Sequence, residues 1–200
     1  MEVTERPVQL RGSAIARRLL HWAGWQVRFG GLPARQGVAI VYPHTSNWDF
    51  PVGLLAKWAI GIPVTFWGKA SLFQWPLFGA WLRRLGGRPV DRLAPNGIVG
   101  QMAEELKAAR DEDRFMWLAL APEGTRRFQD TWRSGFYHVA LAAKVPLALV
   151  YFDFAERVVG IEKFILLSGD AQADTALVQD YLGHRIGKRP GQAGPVKWKA

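Results

Sequence analysis

His44 and Asp49 stand in the stretch Pro43-His44-Thr45-Ser46-Asn47-Trp48-Asp49. An imidazole can take a proton from a hydroxyl near neutral pH, and a carboxylate on its other ring nitrogen fixes the tautomer that does so. On one helix the two residues would lie about 140° apart around the axis, so they meet only if the chain bends between them. Thr45, Ser46 and Asn47 are turn and cap formers, and Pro51 suits a first helical turn. The spacing therefore predicts that a strand leads into a loop carrying His44. A helix should then start near Asp49 or Phe50, with the carboxylate folded back on the imidazole. A loop histidine satisfied by a capping aspartate, without catalysis, would leave the same signature.

Two further groups carry chemistry. An apolar run ends in Ala121-Pro122-Glu123-Gly124-Thr125-Arg126-Arg127. There a glycine admits a ligand close to the backbone, Arg126 suits a phosphate, Glu123 can accept from hydroxyls and Thr125 can donate. Gly86-Gly87-Arg88-Pro89-Val90-Asp91-Arg92 again reads as a strand end with basic residues. Each group alone is compatible with a surface salt bridge. Together they fit ligand binding beyond the carboxyl ends of strands in an open α/β sheet.

The elements that must position these groups follow from hydropathy. Apolar runs at 38–43, 63–67, 115–121 and 145–152 read as strands. Several lack alternation, as strands covered on both faces do. Helical patterns fall at 50–60, 73–84, 97–110, 134–144 and 173–186. Residues 158–167 add one or two strands at an edge. This order predicts an α/β fold with a mostly parallel central sheet flanked by helices.

Residues 13–30 read as an N-terminal amphipathic helix, with Ser13 as N-cap and Gly30-Gly31 as stop. Ile15, Leu19, Trp22 and Phe29 share one edge, and Trp25 falls on the polar side. Such a helix either packs on its own domain or lies flat in a membrane interface. The expected organisation is residues 1–35 as this segment, 36–188 as the main domain and 189–200 as a loose basic tail.

The 200 residues are 49% hydrophobic and 22% charged, a globular composition for one domain. The absence of cysteine excludes disulfides, thiolate metal sites and a cysteine nucleophile. A net charge of +9 draws the chain to anions, and ten tryptophans favour a lipid surface over a nucleic-acid groove. Glu2 and Glu5, with no apolar run behind them, do not make a signal peptide. No stretch makes a convincing transmembrane span: residues 50–67 are broken by Pro51, Gly53, Lys57, Gly61 and Pro63. No Gly-x-Ser-x-Gly elbow, P-loop, Gly-x-Gly-x-x-Gly or His-Glu-x-x-His is present, nor a nucleic-acid motif.

The set of blocks resembles the glycerolipid acyltransferase family, the lysophosphatidic acid and glycerol-3-phosphate acyltransferases. His44, Ser46 and Asp49 match its first block, residues 87–92 its second, Pro122 to Arg126 its third, and Val145-Pro146-Leu147 its fourth. The likeness spans residues 37–152. Ala121, Pro89 and Leu149 depart from the family's usual residues and bear on the acceptor more than on the reaction.

The resemblance implies acyl transfer from a thioester, acyl-CoA or acyl-carrier protein, to a hydroxyl of a lysophospholipid or glycerol phosphate. It implies His44 as general base and Asp49 as its orienter. Arg92, Arg126 and Lys69 would bind phosphate, Glu123 and Gly124 would hold the glycerol part, and Thr125 belongs to the same acceptor site. Backbone N–H groups near the helix start would steady the oxyanion. No metal or other cofactor is expected. The partners expected are a lipid surface, the acyl donor and the lysolipid, with no nucleic acid, and the place is peripheral, on the cytoplasmic side of a membrane. Phe66, Trp67, Phe73, Trp75, Phe78 and Trp81 would line an acyl groove, dip into lipid, or simply fill the core. An acyl-thioester hydrolase and a non-catalytic basic membrane module are the rival readings.

Overall fold

The computed structural model describes residues 1–90 and 98–199. Its centre is a seven-stranded sheet in the order β1-β7-β6-β2-β5-β3-β4. The strands are β1 (Gln26–Phe29), β2 (Gln36–Tyr42), β3 (Val64–Lys69), β4 (Gly87–Val90), β5 (Met116–Leu120), β6 (Leu147–Asp153) and β7 (Val158–Ile165). All neighbours pair in parallel except β6 and β7. The helices are α1 (Ala14–Trp22), α2 (Asp49–Ile60), α3 (Pro76–Arg84), α4 (Ile98–Asp111), α5 (Gly135–Ala143) and α6 (Ala171–Leu182).

Helices cover both faces, which explains the unbroken apolar strands. In β2, Val38, Ile40 and Tyr42 pack with Met102 and Leu106 of α4, Phe136 and Ala140 of α5, and Val178 of α6. The intervening Ala39 and Val41 face the other side, with Ile60, Trp117 and Val150. The period-two reversal of a strand sends neighbouring residues into two separate cores. β2 runs between β5 and β6, so the ends of β2 and β5, carrying His44 and Glu123, are neighbours.

Four expectations are corrected. The N-terminal helix ends at Trp22, not Gly30: Gly24 turns left-handed at φ +76°, and Gln26–Phe29 pairs with β7. Residues 26–29 alternate between exposed and half-buried, a strand period that the helical reading absorbed. Trp25, placed on the polar side of that helix, is buried edge-on against Phe154. β7 is not an edge strand, because β1 lies outside it. The helix expected at 73–84 begins at Pro76, after a separate 3-10 turn at Ala70–Phe73, because proline is tolerated at the first helical position and not inside.

The tail is not loose. Val196 and Trp198 are buried, and Trp198 stacks on Trp132 at 6.0 Å with an interplanar angle of 15°. The Trp132 N–H donates to the Lys197 carbonyl at 2.8 Å. Lys197 and Lys199 are exposed. Glycines and prolines in this segment look like a flexible tail in one dimension; here they shape a strap whose two apolar residues find the α4–α6 core.

Ser13 caps α1 through the Ala16 N–H at 3.2 Å, a contact worth about 1 kcal/mol. Ala16 and Leu20 bury against Ala56 and Ala59 of α2. Ile15, Leu19 and Trp22 remain exposed, Trp22 at 79%. Among the described residues no helix is long and apolar enough to cross a membrane.

Candidate active site

The bend between β2 and α2 is built by side-chain-to-backbone bonds. Asp49 opens α2 and is buried. Its Oδ2 accepts from the Ser46 N–H at 2.9 Å and lies 3.1 Å from His44 Nδ1. The Ser46 hydroxyl accepts from the Trp48 N–H at 3.2 Å. These contacts close the bend that brings together two residues that on one helix would lie about 140° apart. With Nδ1–H turned toward the carboxylate, Nε2 is the ring nitrogen free to act as base. Asp49 Oδ1 is buried without a partner among the described residues.

Glu123, expected to hold the glycerol part of the acceptor, is bonded to the backbone of two neighbouring segments. It is buried, and Oε2 accepts from the His44 N–H at 2.7 Å while Oε1 accepts from the Gly194 N–H at 3.1 Å. Neither cavity described below counts it among its walls. Burial pushes its carboxyl above the ordinary 4.5, and the Asp49 charge adds to the rise. The Gly194 and His44 backbone bonds and the His44 charge pull the other way. Tyr42 completes the tie: its hydroxyl donates to the Gly194 carbonyl at 3.0 Å. Burial first, and the Glu123 charge second, push that phenol to about 12, so it keeps its proton. Glu123 thus ties the β2 end, the β5 end and the C-terminal strap together.

Two cavities meet at this loop. The larger, about 930 Å³, is mostly apolar; His44, Asp49, Phe50, Gly53, Phe66 and Trp117 are among its walls. The smaller, about 550 Å³, is cationic, lined by residues 45–48 and 125–127 with Arg189 and Gln192. Thr125 and Arg126 line both. Arg126 is anchored by Nε donating to the Ser46 carbonyl at 3.0 Å. Gly124 turns at φ +67°, and a Cβ there would sit 2.7 Å from Arg133 Nε, so the Glu-Gly turn takes only glycine without strain.

The structure therefore brings together His44, Asp49, Gly124, Thr125 and Arg126. Lys69 lies apart from the cationic notch, exposed at the end of β3 on the wall of the apolar cavity. Arg92 lies outside the described residues. Of the aromatic residues expected to line a groove, Phe66, Trp67 and Phe73 do so, whereas Trp75, Phe78 and Trp81 are exposed on α3 and its approach. The strap residues Arg189, Gln192 and Gly194 escaped the sequence reading. No motif marks them, and only their long-range contacts bring them to the loop.

Comparison with known proteins follows this geometry. No curated protein sequence matches the chain. Among solved structures, the chain is similar to the 1-acyl-sn-glycerophosphate (LPA) acyltransferase PlsC from Thermotoga maritima. The identity is 17%, the TM-score 0.57, and the match covers 86% of this chain and 78% of that one. That likeness establishes the shared fold: the mostly parallel sheet with its flanking helices. The model of the acyltransferase family matches residues 26–152, from β1 through most of β6, and so takes in the His44 loop and the Glu123 turn. The chain belongs to the acyltransferase family.

Proposed function

We propose that the protein moves a fatty acyl group from an acyl thioester, acyl-CoA or acyl-carrier protein, to a hydroxyl of a lysophospholipid or glycerol phosphate. The observation that carries this reading is the position of His44. Its imidazole leans on a buried aspartate and lines an apolar cavity that shares Thr125 and Arg126 with a cationic notch. A fatty chain suits the first space and a phosphate the second.

In the proposed step, His44 Nε2 takes the proton of the acceptor hydroxyl as its oxygen attacks the thioester carbonyl carbon. The C–O bond forms, the C–S bond breaks, and the imidazolium returns the proton to the departing thiolate. Asp49 holds the ring in the required tautomer and offsets its positive charge. Arg126 binds acceptor phosphate. The first N–H groups of α2, at Trp48, Asp49 and Phe50, are already bonded within the turn and Pro51 has none, so they are not assigned to the oxyanion. The thioester is a co-substrate, and no electron transfer is involved.

A lipid acceptor requires a membrane surface, and we assign the protein a peripheral place there, on the cytoplasmic side. Support comes from two exposed apolar patches, Ile15, Leu19 and Trp22 on α1 and Trp75, Leu77 and Phe78 at the start of α3, on a chain of net charge +9.

The decisive assay incubates the purified protein with labelled acyl-CoA or acyl-carrier protein and a panel of lysolipids, with products identified by mass. Acylated lysolipid supports the proposal. Free fatty acid released at the same rate with and without lysolipid would show a hydrolase. No turnover with any acceptor, but binding to vesicles, would leave a membrane module.

A further inference from the structure

The cationic notch has a wall that the family-matched residues do not supply. Arg189 and Gln192 belong to the C-terminal strap, beyond residues 26–152. Among the described lining residues, Arg126, Arg127 and Arg189 are arginines and none is acidic. Arg126 has spent one donor on the Ser46 carbonyl. The guanidinium groups of Arg127 and Arg189 make no ion pair with any described residue. Gathering unpaired guanidinium groups in one concavity costs self-repulsion, which an anion of matching geometry relieves.

The strap is held in place on the notch. The Arg189 N–H donates to Thr45 Oγ1 at 3.2 Å. With its amide nitrogen facing the loop, Gln192 donates to the Arg126 carbonyl at 2.7 Å and to the Thr45 carbonyl at 3.0 Å. Gly187 passes so close that a Cβ would meet Thr45 Oγ1 at 2.7 Å. Two residues beyond Gln192, the Gly194 N–H bonds the same Glu123 that holds the His44 backbone. Arg189 is thus fixed through its backbone while its side chain is left for something else.

We propose that Arg189 is a phosphate-binding residue that selects acceptors ending in a phosphate monoester. The inference rests on the acyl-transfer reading for the role of the ligand; the anion site itself does not. A monoester carries up to two negative charges and three terminal oxygens, and so can engage several guanidinium groups at once. A capped diester offers fewer oxygens and one charge. The 3′-phosphate of acyl-CoA has the same chemistry, so the test must tell the two sources apart.

The experiment compares the full-length protein with Arg189→Gln and, as a charge control beside it, Lys188→Gln. Inorganic phosphate binding is measured by calorimetry. Kinetics follow with a phosphate-monoester lysolipid, with one whose phosphate is capped by choline, and with varied acyl-CoA. The expected result is phosphate affinity about tenfold weaker in Arg189→Gln and less than about twofold changed in Lys188→Gln. KM for the monoester lysolipid should rise about tenfold at nearly constant kcat, with KM for the capped lysolipid and for acyl-CoA unchanged. Unaltered phosphate affinity in Arg189→Gln, or an equal loss in Lys188→Gln, overturns the assignment. A rise in KM for acyl-CoA alone overturns it too, by handing the notch to the donor. If wild-type protein acylates nothing, the functional reading fails on its own account, and the calorimetric arm still decides whether Arg189 holds phosphate.

Discussion

Glu123 Oε2 accepts the backbone N–H of His44 at 2.7 Å, so the tip of β5 holds the tip of β2 by the very residue that carries the imidazole. The second oxygen reaches the strap at Gly194, and the site becomes a three-point junction. Glu123 is thereby a pin of the scaffold, which separates the effects expected of the following substitutions.

His44→Ala should fold and lose acyl transfer by about 10²- to 10⁴-fold or more, the usual contribution of a positioned base. Its side chain is partly exposed and its one described partner, Asp49, retains the Ser46 N–H. Initial rates beside a thermal melt check both halves. A variant that turns over at the normal rate removes His44 from the mechanism.

Asp49→Asn should preserve the bend and still reduce kcat by about 10²-fold or more. The amide oxygen can take the place of Oδ2, leaving the amide nitrogen at the Oδ1 position, which has no hydrogen-bond partner among the described residues. What is lost is the negative charge beside the imidazolium. Normal kcat in a folded variant would reduce Asp49 to a cap for α2.

Glu123→Gln should destabilise the protein by about 1–3 kcal/mol, because an amide can accept only one of the two buried N–H bonds and turns its own donor on the other. The pH dependence has a definite sign. A carboxyl whose pKa is raised on folding binds more protons folded than unfolded, so its contribution to stability falls as pH rises from 4.5 through the raised value. Urea midpoints across that range should show this downward component in the wild type and lack it in Glu123→Gln. Equal slopes for the two proteins would contradict the assignment.

Gly53→Val should shorten the acyl chain the protein prefers. Gly53 of α2 lines the apolar cavity, and a Cβ there would already stand 2.9 Å from Phe152 Cζ. The added side chain either displaces Phe152 or takes cavity space. Competition between long- and short-chain donors reads this out; an unchanged preference would place the chain elsewhere.

Trp22→Ser combined with Leu19→Ser should weaken binding to anionic vesicles by about tenfold or more without lowering the melting temperature, since both side chains project away from the core. Vesicle cosedimentation at two salt concentrations separates this apolar loss from the charge attraction. Undiminished binding would shift the contact to Trp75 and Leu77 on the far side of the sheet order.

The sequence by itself determined the sheet-forming runs, the alternation of strands and helices, and the local bend at residues 44–49. All of these arise from neighbours in the chain: unbroken apolar runs, turn formers, a proline in the first helical turn. It also placed Glu123 and Arg126 at a strand end. Tertiary structure decided what those residues face. Only the sheet order puts the β2 and β5 ends side by side, and only the fold of the strap brings Gly194 and Arg189 to them. The misreading of residues 26–29 as helix and of the tail as loose has one cause: a strand's pairing partner and a strap's docking site lie far away in sequence, and local composition carries no trace of either.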